Sequence, residues 1–315
     1  MLSFSPVSLL SQRLVPLAVA AALSASPLFA AISAGGLAVV GFTDDNSGVG
    51  GTDDFVLVAT TFIAAGEVIY FTNTGWSSSG GASSFYGVGS GNESGSQQLM
   101  RLTLNSSITP GTLLSTADTA NSAFTWTTSG SITGGGGSAS YAKLDLLYDD
   151  DVPFFNPLGD QIYIFQSTSS TNPMGVSPSQ LSFIYLMDNG EPVPLTGFEQ
   201  PGGAFTGANF PSVADAGQGL SMLDHTAVEL RNVNNPDGFH VGSFGLNMAA
   251  QEIQDLQDFG GSAEDWLAAI ANPDNWIQGS LPSAPLNILG VPEPSRVVLL
   301  MGAFGVVILR RRRPR

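Results

Sequence analysis

Thirteen consecutive apolar residues, Val297 to Leu309, run directly into Arg310-Arg311-Arg312-Arg313-Pro314-Arg315 at the C-terminus. As a helix the run rises about 1.5 Å per residue and covers roughly 20 Å of a hydrocarbon core about 30 Å thick. Length alone favours a helix buried in a soluble core. The flanks favour a membrane. Four consecutive arginines have no place at the end of a core helix, whereas Arg296 and Arg310 lengthen the effective span by snorkelling. The run therefore predicts a single C-terminal transmembrane helix over 297–309. Arg310, Arg311, Arg312 and Arg313 form its cytoplasmic anchor, and everything before Pro292 faces outward. Gly302 and Gly305 are three apart, so they do not make the GxxxG dimerisation pattern.

The N-terminus carries a matching export signal. Arg13 supplies the positive region, Leu14 to Leu23 the apolar region, and Ser24 to Ala30 a region rich in small residues. This predicts a signal peptide over 1–30, removed by signal peptidase after Ala30. Ten apolar residues are too few to span a bilayer.

Pro292-Glu293-Pro294, the apolar run and the terminal arginines occur in the order that resembles the PEP-CTERM sorting tail of Gram-negative bacteria. The resemblance covers residues 291–315. It implies recognition by exosortase, a membrane enzyme of cysteine-protease type, with a cut near the proline motif. It also implies transient residence in the inner membrane, then a place at the cell surface or in the extracellular polysaccharide matrix. Arg296, a charge close to the membrane entry point, leaves the cut position open.

Between these ends the chain is acidic. All 26 acidic residues lie between Ala31 and Pro294, against three basic ones, Arg101, Lys143 and Arg231; 26 less three leaves 23 negative charges. Such a body repels phosphate backbones and anionic lipid surfaces, so nucleic acid is a poor partner. Cysteine is absent, which rules out disulfide staples and thiolate chemistry. A body of this length buries one large core unaided.

Short β-branched or aromatic runs bounded by turn residues predict strands. They are 37–42, 55–60, 67–72, 98–104, 111–115, 160–165, 182–187, 227–230 and 239–244. Asn189-Gly190 and Asn235-Pro236-Asp237-Gly238 are turn signals. The Ser/Gly-rich stretches 77–96 and 127–140 read as surface loops. Ser262 and Asp265 form a capping box before Trp266, Leu267 and Ile270, with Asn272-Pro273 as the stop. Residues 249–259 are a weaker helical pattern. The expectation is a mainly β chain: an antiparallel β-sandwich ectodomain over 31–278 with one or two short C-terminal helices. A linker over 279–290 then leads to the tail.

Asp53-Asp54-Phe55, Ile69 to Trp76, Gly159 to Tyr163 and Leu267 to Trp276 occur in a series similar to an uncharacterised bacterial β-sandwich module of exported proteins, and more distantly to lamin-tail-type sandwiches. No activity comes with that resemblance. Catalytic signals are sparse: His225 and His240 are the only histidines, and there is no HExxH, no G-x-S-x-G elbow and no Gly-Lys-Ser. A Ser-His-Asp triad assembled from distant residues stays open, because triads are defined by geometry. Asp44, Asp45, Asp53 and Asp54 flank one loop, and Asp149-Asp150-Asp151 form another acidic run. Both read as solvated turns or as oxygen donors for calcium, without EF-hand spacing. No other cofactor is expected.

The leading expectation is a structural or adhesive ectodomain without enzymatic activity. One alternative is a carbohydrate-binding module using Trp76, Phe85, Tyr86 and Trp126 as exposed aromatics, against the ordinary reading of tryptophan as core. A secreted hydrolase is the other.

Overall fold

Side chains that alternate across a pleated backbone can bury one face of a strand or both, and here β-branched and aromatic residues do so repeatedly. The protein is described by a computed structural model covering residues 31–44, 54–77, 84–85, 99–117, 125–129, 142–148, 161–188, 211, 217–221, 223–230, 242–279 and 281–289. Strands β1 (Leu37–Asp44), β2 (Asp54–Ala59) and β3 (Val68–Thr72) fall where expected. A short pair follows, β4 (Trp76–Ser77) and β5 (Ser84–Phe85), inside a stretch read as loop. β6 (Leu99–Leu104) and β7 (Leu113–Ala117) were expected; β8 (Thr125–Ser129) and β9 (Ala142–Tyr148) were not. β10 (Gln161–Ser167), β11 (Leu181–Asp188), β12 (Ala227–Glu229) and β13 (Gly242–Leu246) lie within a few residues of the expected strands. β14 (Trp276–Gln278) is an addition.

Twelve of these strands pair in one continuous sheet, ordered β12-β11-β10-β3-β6-β9-β8-β7-β2-β1-β13-β14, while β4 and β5 pair with each other. The neighbours are antiparallel except β11 and β12, which run parallel, so the sheet is mixed and not purely antiparallel. The long connection over 189–226 permits this, because a parallel neighbour needs a crossover and not a tight turn. The sheet doubles back on itself. Gly35, just ahead of β1, donates its N–H to the carbonyl of Ile184 on β11 at 2.7 Å, although seven strands separate β1 from β11 along the ladder. The register of β10 against β11 slips at that place: Ile164 pairs with Tyr185 and Phe165 with Phe183. Ile184 is the extra residue, and such a bulge puts two successive side chains on the same side. Ile184 and Tyr185 accordingly both belong to the main core.

β3, β10 and β11 are buried on both faces. Ile69, Phe71, Ile162, Ile164 and Met187 enter the main core with Leu37, Val39, Val56, Leu102 and Trp266. The alternate residues Tyr70, Tyr163, Phe165, Phe183 and Leu186 form a second, aromatic cluster with Trp76 and Phe85. The β4–β5 pair closes that cluster. The Trp76 ring meets Phe85 edge-on at 5.2 Å and Phe183 edge-on at 5.0 Å. Such arrangements contribute about 0.5–1.5 kcal/mol per pair beyond area burial.

Two helices of nine residues each follow β13: α1 (Gln251–Phe259) and α2 (Ala263–Ala271). The expected capping box is present. Asp265 donates its N–H to Ser262 Oγ at 3.1 Å, and Ser262 donates its N–H to Asp265 Oδ2 at 2.9 Å. Trp266, Leu267, Ala269 and Ile270 are buried, and Trp276 donates its indole N–H to the Ile270 carbonyl at 2.8 Å. Among the described residues no helix is long and apolar enough to cross a membrane, and the expected span 297–309 lies outside them.

The expectation of a linker over 279–290 is corrected for residues 281–289, which strap across the body. Leu286 and Ile288 are buried. Leu286 donates its N–H to the Gly111 carbonyl at 2.9 Å, and Leu289 donates to Gly261 at 2.8 Å. The Trp266 indole N–H reaches the Asn287 carbonyl at 3.1 Å, and Asn287 donates its N–H to Gln257 Oε1 at 2.6 Å. Gly111 has φ +82°, and a Cβ there would stand 1.9 Å from the Leu286 carbonyl oxygen, so only glycine admits the strap. Its prolines suggested a linker, but backbone donors on either side of them satisfy the strap.

Candidate functional site

The hairpin logic of β1 and β2 brings part of the acidic cluster together. Thr43 pairs with Asp54, and Asp44 pairs with Gly242, so Asp44 and Asp54 share one end of the sheet. Asp45 and Asp53 belong to the intervening segment, outside the described residues, as does the run Asp149 to Asp151. Among the described residues no three acidic or histidine side chains are grouped closely enough to hold a metal ion.

Asp224 and His225 lie in a turn, not in a strand, and His225 takes φ 55°. Histidine is one of the residues that enters this region at moderate cost. The neighbouring bonds hold the turn closed: Ser221 donates its N–H to Thr226 Oγ1 at 2.8 Å, and Asp224 donates its N–H to Ser221 Oγ at 3.3 Å. Ser221 Oγ is thereby occupied in shaping backbone. His240 lies outside the described residues.

The aromatic face expected of a carbohydrate-binding module is corrected at two of its four positions. Trp76 and Phe85 are fully enclosed in the aromatic cluster, which is where their rings do most for stability. Tyr86 lies outside the described residues, and for Trp126 only the backbone on β8 is described. Trp76 Nε1 and the Tyr185 hydroxyl are buried without a hydrogen-bond partner among the described residues. Burial pushes the Tyr185 hydroxyl far above the usual tyrosine range, so it stays neutral.

A feature the sequence did not announce lies on the outer side of the two helices. Glu252, Asp255, Leu256, Phe259, Gly260, Asp265 and Ala268 line an open groove of about 620 Å³. α1 buries only Ile253 fully; Leu256 packs partly against the main core, and Gln251, Glu252, Gln254, Asp255, Asp258 and Phe259 are exposed. Phe259 is 81% exposed and Leu289, at the end of the strap, 56% exposed. The acids have neutral donors. Glu252 Oε2 accepts from Asn275 at 2.9 Å, Asp255 Oδ1 from Gln251 at 2.7 Å, and Asp265 Oδ2 from the Ser262 hydroxyl at 2.6 Å. Hydrogen bonds from the Ser262 hydroxyl and then its backbone N–H hold the Asp265 carboxyl below the usual range. None of the described lining residues is basic. The spacing of Glu252 and Asp255 along α1 is the one trace of it in the sequence.

Pro292, Glu293 and Pro294, the span 297–309, Arg310 to Arg313 and the signal peptide lie outside the described residues. Comparison with known proteins finds no matching family model, no matching curated protein and no matching solved structure.

Proposed function

We propose that this chain is an exported surface or matrix protein of a Gram-negative bacterium, with an acidic β-sandwich ectodomain that serves a structural or adhesive role and no enzymatic one. Its tail, resembling the PEP-CTERM signal, is a transmembrane span over 297–309 with Pro292-Glu293-Pro294 as the motif that exosortase reads. The observation that carries the reading is the order of parts in the tail: Pro292-Glu293-Pro294, then thirteen apolar residues, then Arg310 to Arg313. The described core residues, Ile32 to Ile288, all lie between the two expected processing points.

The ectodomain reading draws further support from the doubled-back sheet around the main core, and from an acidic composition that favours solubility over binding to anionic partners. The polysaccharide-binding alternative loses Trp76 and Phe85 as surface aromatics, which leaves extracellular polysaccharide as a partner to be tested and not assumed. Calcium is a second reading at the β1–β2 end, favoured by the pairing that returns Asp44 and Asp54, the sequence neighbours of Asp45 and Asp53, to one end of the sheet. Mass measurement on protein recovered from a host with exosortase tests the sorting proposal. Wild type loses about 20 residues from its C-terminus, as a motif just outside the span requires. Changing Pro292-Glu293-Pro294 to alanine leaves the full tail in the membrane fraction. Retention of Arg315 in mature wild type would reduce the tail to a plain anchor.

A further inference from the structure

The groove between α1 and α2 holds three carboxylates and an exposed phenyl ring, and the chain leaves the described fold beside it. Leu289 packs at the groove's rim: a Cβ built on Gly260, which has φ +77°, would come within 2.8 Å of Leu289 Cδ2. The next seven residues, 290–296, are Gly-Val-Pro-Glu-Pro-Ser-Arg. Their two prolines favour an extended form of about 3.1 Å per residue, so Arg296 can lie up to roughly 22 Å from Leu289. Along α1, at about 1.5 Å per residue, Asp255 lies some 6 Å from Phe259 and Glu252 some 10 Å. The segment is long enough to turn back along the helix and bring Arg296 to both carboxylates.

We propose that this groove is the seat of residues 290–296 of the same chain, with Arg296 held by Glu252 and Asp255 and Val291 against Phe259 and Leu256. Charge supports the assignment. The body carries three basic residues, and six of the ten in the chain follow Leu289. Guanidinium presents a rigid fork of donors that suits two neighbouring carboxylates, and its stem covers apolar surface. The membrane reading enters only in selecting Arg296 over Arg310 to Arg315, which that reading puts on the opposite side of the bilayer. Glu293 is the segment's one acid and opposes the seating, so Glu293→Gln strengthens it.

Two measurements on the full chain in neutral detergent micelles test the seat. In Arg296→Lys, a carbodiimide that joins amines directly to carboxylates gives an intramolecular link from position 296 to Glu252 or Asp255, located by peptide mass. In the otherwise unchanged chain, trypsin cuts after Arg296 about tenfold more slowly than in Glu252→Gln with Asp255→Asn, equivalent to about 1.4 kcal/mol of docking. Equal cleavage rates, or links only to other acids, overturn the proposal. A linked dimer would assign the groove to a second copy instead. Failure of tail processing in the host leaves both measurements unaffected, so the sorting reading and the seat can fail separately.

Discussion

α1 and α2 are neighbours of equal length, yet they serve the fold differently. α2 begins with a complete capping box and buries Trp266, Leu267, Ala269 and Ile270. α1 begins at Ala250 with no side-chain cap and buries Ile253 alone. Helical stability in proteins comes chiefly from packing an apolar face, so α2 belongs to the core, while α1 is held by its neighbours. Gln257 of α1 is one of those links, bonded to both Asn287 and Pro285 of the strap. Length and proximity do not make two helices equivalent; what each buries decides.

The largest test of the contrast is Trp266→Ala. It empties an indole site in the main core and orphans the Asn287 carbonyl, and is expected to cost about 3–5 kcal/mol in denaturant unfolding. A cost near zero would remove α2 from the core. Gly111→Ala comes next. The left-handed backbone alone costs about 1–2 kcal/mol, and the added carbon displaces Leu286. Limited proteolysis should then cut within 281–289 before the body unfolds, and a strap that stays protected would refute its dependence on Gly111. Ser262→Ala removes the cap of α2 and should cost about 1 kcal/mol.

The Asp265 carboxyl in the same box is held below its ordinary range. Its contribution is therefore fully present above the unfolded value and is lost as pH falls through the lower folded value. Acid unfolding curves of wild type and Ser262→Ala should converge at low pH; parallel curves would remove Asp265 from the account. Asp255→Asn on α1 should change stability by no more than about 0.5 kcal/mol, as for exposed positions generally. A larger loss would break the contrast from the other side.

Nine expected strands have counterparts because their residues alternate or run apolar within short bounds, a signal local to each strand. The capping box of α2 was equally local. β4 and β5 were not legible. Each is two residues long, and their role depends on Trp76 and Phe85 meeting Phe183, more than ninety positions away. The strap was misread for a related reason. Pro282 and Pro285 suggest a linker, while the partners that bury Leu286 lie on Gly111 and around Trp266. Burial of Trp76 reverses the surface role considered for it, because composition reports a ring and not its neighbours. The acidic groove has the same character: the spacing of Glu252 and Asp255 marks one helix face, but the wall supplied by α2 is a tertiary fact.

A tether attached at residue 290 would pull on a stitched edge and not on a free end. Force applied there meets the bond from Leu289 to Gly261 first, then Asn287 on Gln257 and Trp266, then Leu286 on Gly111. Bonds loaded one after another peel at low force, whereas bonds loaded together resist as a group. Forced unfolding is governed by the rate of the opening step. Under such a tether the strap would yield as a mechanical fuse before the sheet bore load.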